Sequence, residues 1–241
     1  MNIGVIFAGG VGSRMHSKER PKQFLELYNK PIIIHTLEHF ENNEDIDAVV
    51  VSCIEGWISY LEKLLYKYRI EKVKKVVPGG ATGQLSIYNG LKAAKEIAGS
   101  EEAIVLIHDG VRPLITPELL SENIKCVHKY GSAITAGIVK ETIVVIDENM
   151  QVRQVPARAQ SRVAKAPQSF WLDDILDVHE RALAAGESNS IDSCTLMKQY
   201  GKQLHMIDGP YENIKITTPD DFYTMRAILE AKENSQIYGF D

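Results

Sequence analysis

The chain has 241 residues, 44% apolar and 24% charged, and a formal net charge of −5. That length buries roughly 70–75% of the unfolded surface and makes one α/β domain the default, so residues 1–241 are read as a single unit. The acidic balance excludes the broad basic face of a nucleic-acid binder, no apolar run approaches the ~20 residues of a membrane span, and three scattered cysteines (Cys53, Cys126, Cys194) point to a reducing cytoplasm without a disulfide framework or metal motif.

The N-terminus opens directly on a strand rather than on a signal peptide. Ile3–Phe7 is a short apolar run that delivers the chain into Ala8-Gly9-Gly10-Val11-Gly12-Ser13-Arg14-Met15. Pro21-Lys22-Gln23-Phe24-Leu25 follows. The glycines permit φ > 0 and a close approach of backbone to ligand, and N–H groups in such a turn form an anion-binding concavity. By themselves they serve a tight strand-to-helix turn equally well. Arg14 and Lys22 add the cations that a phosphate site requires. The P-loop pattern is absent, and a dinucleotide pattern begun at Gly10 and Gly12 meets Met15 where its third glycine belongs.

Further strands are expected at Ala48–Cys53, Val73–Val77, Ala103–His108 and Ala133–Gly137. Between them Ile33–Phe40, Ile58–Tyr68, Leu85–Ile97 and Pro117–His128 carry apolar residues at helical spacing. The alternation predicts a Rossmann-like, mostly parallel twisted sheet with helices on both faces. Ligands of such sheets bind outside the carboxyl ends of the strands, so the loops after Phe7, Val77 and His108 are the functional ones.

After Val77 comes Pro78-Gly79-Gly80-Ala81-Thr82-Gly83-Gln84-Leu85-Ser86, a second glycine turn opening a helix. Gly80 there suits a flat base and Ser86 a hydrogen bond to it; the same residues also make an ordinary helix start. His108-Asp109-Gly110-Val111-Arg112-Pro113 sets a carboxylate at a strand's end. Near a triphosphate it suits Mg²⁺, which takes one or two carboxylates plus phosphate oxygens, and Arg112 is placed to orient it. As a plain turn, Asp109 would be a cap and Arg112 its surface partner. His108 and His35 read as structural histidines.

The rhythm breaks at Thr142–Val155, which alternates like a hairpin around Asp147-Glu148-Asn149 and is expected to protrude as a β-arm over about residues 141–157. Helices Leu172–Ala185 and about Ser193–Tyr200 follow, then a strand Gln203–Ile207. Lys215 sits between Ile214 and Ile216, on the opposite face from both if the segment is a strand. Thr218 caps the last helix, opened by Pro219 and Asp220-Asp221. Lys215 and Arg158 taken singly read as solvated cations.

Together, Gly-Gly-x-Gly-Ser-Arg-Met, Pro-Lys-Gln-Phe-Leu, His-Asp-Gly-Val-Arg-Pro, Ala-Pro-Gln-Ser-Phe and Asn-Ile-Lys-Ile-Thr-Thr-Pro-Asp-Asp resemble the cytidylyltransferases that act on methylerythritol 4-phosphate or ribitol 5-phosphate. The likeness runs from residue 3 to about 232. It implies a reaction of CTP with a polyol phosphate that gives a CDP-polyol and pyrophosphate, with Mg²⁺ as cofactor. It implies that Ala8, Gly9, Gly10 and Gly12 cradle the nucleotide, with Arg14 and Lys22 on the triphosphate. Gly80 and Ser86 then belong to the base pocket, and Asp109 binds nucleotide and metal. Arg112, Thr142 and Arg158 lie near the polyol phosphate, and Arg14, Lys22 and Lys215 neutralise charge at the reacting phosphorus. The arm becomes a homodimer contact, with Arg158 serving the partner's site.

Gly83, Ala166, Val111 and the long gap from Arg14 to Lys22 depart from the methylerythritol pattern; Val111 and the gap lean towards the ribitol type. The expected acceptor is therefore ribitol 5-phosphate, feeding a teichoic acid or capsule polymer, with the methylerythritol enzyme of isoprenoid synthesis as the alternative. A dinucleotide-dependent reductase needs an acidic residue closing the second strand, for which Glu55 is a poor fit, and Met15 already breaks its glycine fingerprint. A nucleotide sensor is a further alternative, against which the cations and Asp109 count.

Overall fold

The computed structural model describes residues 1–10 and 20–238, with side chains to 235. Its frame is a seven-stranded sheet. β1 (Asn2–Ala8) lies between β4 (Ala48–Cys53) and β6 (Ile104–Asp109), parallel to both, and β5 (Val73–Pro78) extends the sheet beyond β4. β1, β4 and β6 are near-continuous apolar runs because both faces are covered, whereas β5 at the edge carries Lys74 and Lys75 and is only partly buried. Two minor strands, β2 (Glu26–Leu27) and β3 (Lys30–Pro31), pair between β1 and the first helix.

α1 (Ile32–Glu41), α2 (Ile58–Tyr68) and α4 (Pro117–Tyr130) lie over one face, where Phe40, Leu61 and Leu120 share a core with Ile6 and Val51. α3 (Gly83–Ala98), α5 (Leu172–Ala184) and α6 (Ser193–Gln199) lie over the other, where Leu91, Val178 and Leu196 meet Val5 and Val105. The side chains of Thr82 and Thr116 cap α3 and α4, accepting from Leu85 N at 3.2 Å and Leu119 N at 3.3 Å.

On the far side of β6 the sheet holds a strand that the sequence pattern does not announce. β10 (Arg162–Trp171) runs antiparallel between β6 and β7 (Ser132–Ile138). It carries Lys165 and Pro167, which argue against a central strand. The structure accommodates them with an irregularity between Ala164 and Gln168, where the Ala166–Pro167 peptide is cis. β11 (Met206–Asp208) closes this edge parallel to β7, three residues beyond the expected start at Gln203.

The arm is shorter than its alternation predicts. Only β8 (Val145–Ile146) and β9 (Val152–Gln154) pair, around a turn in which Asp147 Oδ1 accepts from Asn149 N at 2.9 Å and Gln151 N at 3.0 Å. α7 (Pro219–Tyr238) packs its Met225 with Ile216, Val111 and Leu27 in a third cluster. No helix among the described residues is long and apolar enough to cross a membrane.

Candidate active site

Parallel β1, β4, β5 and β6 end at the same edge of the sheet, and the candidate residues gather there. In register, Phe7 lies opposite Asp109, so the mouth of the glycine loop and the carboxylate are neighbours. Gly110 N donates to Phe7 O at 3.1 Å and fastens the two loops.

Asp109 is the centre. Its side chain is 6% exposed, with Lys215 Nζ 2.6 Å from Oδ1 and Arg112 Nε 3.2 Å from Oδ2. Burial pushes the carboxyl upward, but the Arg112 guanidinium and the Lys215 ammonium outweigh it and hold it well below the usual carboxylate range. Lys215, itself half-exposed, makes a close ion pair with Oδ1. Arg112 also donates to Asn213 O at 2.8 Å, and Asn213 Nδ2 donates to Ala166 O at 2.7 Å. Arg112 is thus a buried strut between β6, β10 and the segment before α7, rather than a surface partner.

Lys215 does not sit in a strand, but its sidedness follows the alternation. Ile216 is fully buried, its N–H donates to Val111 O at 2.8 Å, and Lys215 faces outward over the Phe7 ring at 5.7 Å. Lys22 arrives from far away in sequence and donates to Ile216 O at 3.1 Å. Its position is set by its neighbours: Gln23 is buried and donates to Ala8 O at 2.6 Å, and Phe24 stacks on Trp57 at 4.9 Å. The motif Pro-Lys-Gln-Phe-Leu therefore anchors itself twice and presents its lysine once. Thr218 and Asp221 form a reciprocal cap that starts α7 and braces the Lys215 segment, with Asp221 Oδ2 accepting from Thr217 N at 2.8 Å and Thr218 N at 2.7 Å.

Gly9 and Gly10 do not take positive φ. What Gly9 provides is proximity: a Cβ there would lie 2.8 Å from Ser86 Oγ, whereas one at Gly10 would meet nothing within 4 Å among the described residues. Gly80 is held against Leu85, leaving no room for a side chain. The Ser86 hydroxyl accepts from Gly80 N at 3.0 Å and donates to Thr82 O at 2.9 Å, so it shapes the second glycine loop. Gly12 and Arg14 lie outside the described residues.

Not every candidate joins the cluster. Thr142 is exposed on the arm, and Arg158 is exposed and donates to Lys140 O at 3.1 Å. Gln23 and Asn213 lie within the quoted motifs but drew no role from the sequence; each proves to be a buried tie between a site loop and the frame.

His108 is fully buried; burial and the nearby Arg112 push it down to about 3, and its ring donates to Arg112 O at 3.1 Å. Burial also pushes His179 down to about 4. Unfolded histidine takes up its proton near 6.5, so between those values the unfolded state binds more protons. Stability therefore falls as pH drops below 6.5, by ~1.4 kcal/mol per unit for each such histidine. The denaturant midpoint is expected to decline steadily from pH 7 to 4.5, with a shallower decline in His179→Phe; a level profile in the native protein contradicts this account.

The residues match the family described as IspD: 2-C-methyl-D-erythritol 4-phosphate cytidylyltransferase over 3–231. A ribitol-5-phosphate cytidylyltransferase of Streptococcus agalactiae is 54% identical over 239 residues, covering 99% of this chain and 100% of that one. A 2-C-methyl-D-erythritol 4-phosphate cytidylyltransferase of Clostridium botulinum is 39% identical, covering 95% of this chain and 97% of that one. The crystal structure of 4-diphosphocytidyl-2C-methyl-D-erythritol synthase from Anaerococcus prevotii superposes with a TM-score of 0.82 at 29% identity, covering 95% of this chain and 96% of that one. Fold, ordered motifs and full-length similarity agree, and the chain belongs to the IspD family of cytidylyltransferases.

Proposed function

We propose that the protein transfers a cytidylyl group from CTP to D-ribitol 5-phosphate. A phosphate-monoester oxygen of the acceptor attacks the α-phosphorus of CTP, the bond to the β-phosphate oxygen breaks, and pyrophosphate leaves. The observation that carries this reading is the buried Asp109 carboxylate braced by Arg112 and Lys215, with Lys22 fastened to the residue beside Lys215. The nucleophile is already an anion, so the site needs no strong base. It needs cations at fixed positions that let two anions approach and that stabilise a five-coordinate phosphorus.

Lys22, Lys215 and Arg14 supply that charge in this reading, Arg112 meets the acceptor phosphate, and the loops at Ala8–Gly10 and Gly80–Ser86 hold the nucleotide. Asp109 suits Mg²⁺: it is a buried, ionised carboxylate beside the mouth of the glycine loop, and the half-exposed Lys215 is its partner at Oδ1. Mg²⁺ bound there would take most of its other oxygens from phosphate and water and neutralise charge on the triphosphate. The ribitol reading rests on relatives so named at 54% identity, against 39% for those named for methylerythritol phosphate. The three cysteines carry free thiols, which supports a cytoplasmic setting, where the product would serve a ribitol-containing surface polymer.

The arm supports a homodimer. Val144, Val145, Ile146, Val152 and Val155 are exposed together on it, an apolar surface that a soluble monomer rarely presents. A second copy seated there would bring its Arg158 and Thr142 towards the facing site. Val145→Asp with Val152→Lys is expected to convert a dimer to a monomer in light scattering; an unchanged mass rejects the arm as the contact.

The protein is incubated with CTP, Mg²⁺ and, separately, ribitol 5-phosphate, methylerythritol 4-phosphate and arabinitol 5-phosphate, and pyrophosphate release is measured. Release with ribitol 5-phosphate is expected. Release with none rejects cytidylyl transfer to a polyol phosphate, and release only with methylerythritol phosphate moves the chain to the other branch.

A further inference from the structure

Lys22 needs a fixed position, yet no long element carries it. It stands in the short turn Lys22–Phe24, where Phe24 N donates to Pro21 O at 2.9 Å and Leu25 N donates to Lys22 O at 3.2 Å. A lone helical turn is unfavourable by itself, because it orders several residues for very few hydrogen bonds. The turn is held instead by the two side chains after the lysine. Gln23 ties it to β1 through Ala8 O. Phe24 is fully buried and ties it to a different part of the molecule.

That part is a cluster of rings at the start of α2. The Phe24 ring lies 17° from parallel with Trp57 and meets Tyr60 edge-on at 5.3 Å. Trp57 and Tyr60 close the triangle, 5.4 Å apart and 86° between planes. Stacked and edge-to-face contacts of this kind give rings a preferred orientation as well as buried area. The base of the cluster is firm. β4 ends at Cys53, whose carbonyl accepts from Gly79 N at 2.7 Å, and Trp57 N donates to Ile54 O at 2.8 Å just beyond it. Leu61 and Leu65 then bury α2 in the core. Trp57 occupies the capping position of α2, where Ser, Thr, Asp or Asn favours a helix start, and its side chain caps nothing. The helix forgoes a cap there and places a ring on Phe24. Neither Trp57 nor Tyr60 lines the cavity beside Asp109 and Lys215.

We propose that Trp57, with Tyr60 beside it, is a positioning residue for cytidylyl transfer: it fixes Phe24 and, through the shared turn, the place from which Lys22 reaches the reacting phosphates. The proposal rests on the cytidylyl-transfer reading, in which Lys22 neutralises charge at the phosphorus. A lysine is a compact charge on a flexible stem, so the backbone beneath it decides where the charge stands. A misplacement of about 1 Å in such a site can cost 10²-fold in rate. Without the Trp57 ring, Phe24 is free to shift into the space it leaves, and Lys22, in the same turn, shifts with it. Gln23 keeps its bond to Ala8 O, so the loss is smaller than that of removing the ammonium outright.

The test is a double-variant cycle read by pyrophosphate release from CTP, Mg²⁺ and ribitol 5-phosphate. Trp57→Leu is expected to lower kcat about 10-fold and to leave KM for ribitol 5-phosphate within about 2-fold of native. Trp57→Phe, which keeps a ring on Phe24, is expected to recover most of that turnover. In a Lys22→Ala background, adding Trp57→Leu is expected to change turnover by less than about 2-fold, because no lysine is left to position. A cluster that only stabilises the fold would slow both backgrounds equally. Tyr60→Leu leaves the Phe24–Trp57 stack in place and carries the same cycle if Trp57→Leu does not fold, with an expected loss of about 3- to 5-fold. Native kcat in the folded variants, or equal losses with and without Lys22, overturns the positioning role and leaves cytidylyl transfer intact. A native protein that releases no pyrophosphate at all overturns both readings.

Discussion

Lys215→Ala is expected to fold and to lose 10²–10³ in turnover, a cost of ~2.7–4 kcal/mol for removing one preorganised charge from the transition state. Its ammonium stands 2.6 Å from Asp109 Oδ1, and its side chain is 41% exposed, so it adds little to stability. Asp109 keeps its Arg112 partner, and Ile216 still seats the segment under α7. The melting temperature should therefore shift by less than about 4 °C. A donor that acts mainly in the transition state lowers kcat and kcat/KM together, and that is the pattern to look for. Lys22→Ala should behave alike, because the buried Gln23 and the Phe24–Trp57 stack keep the turn in place when the bond from Lys22 to Ile216 O is lost. Near-native turnover in a folded Lys22→Ala or Lys215→Ala protein would remove that residue from the mechanism.

Asp109→Ala has a different profile: activity disappears and stability falls with it. The substitution strands the Arg112 guanidinium, 9% exposed, with Asn213 O as its remaining acceptor. Breaking a buried pair from one side costs ~3–5 kcal/mol, which lowers the melting temperature by about 10 °C in a chain of this size. Adding Arg112→Met to Asp109→Ala should restore most of that loss, since an apolar replacement of a whole buried pair is close to neutral. Activity should stay absent in the double variant. A single Asp109→Ala protein as stable as the native one would show that the pair carries no uncompensated charge.

The readable parts of this fold are those with unbroken patterns. β4 and α2 occupy Ala48–Cys53 and Ile58–Tyr68, the same residues that carry the apolar run and the helical spacing. β10 is illegible because Lys165 and Pro167 interrupt it, and only the irregularity opposite β7 makes room for them. The arm is over-read because alternation marks residues able to pair, whereas only Val145 with Gln154 and Ile146 with Val152 do so, across an irregular register. In the site, Asp109, Arg112, Lys22 and Lys215 were legible as motif residues, yet their convergence comes from the register of β1 with β6 and from the bond between Ile216 and Val111.

β7 and β10 are antiparallel neighbours, with Ile138 opposite Arg162. The whole excursion from 139 to 161 is therefore topologically a connection between two adjacent strands, and a tight turn would serve the sheet as well. Lengthening, trimming or resurfacing it leaves the pairing of β10 with β6, and so the seat of Asp109, where it is. The outer ends of β7 and β10 carry the arm, while the buried half of β10, paired with β6, fixes where the carboxylate stands. A chain built this way can vary the length and surface of its arm without moving the frame that seats its carboxylate.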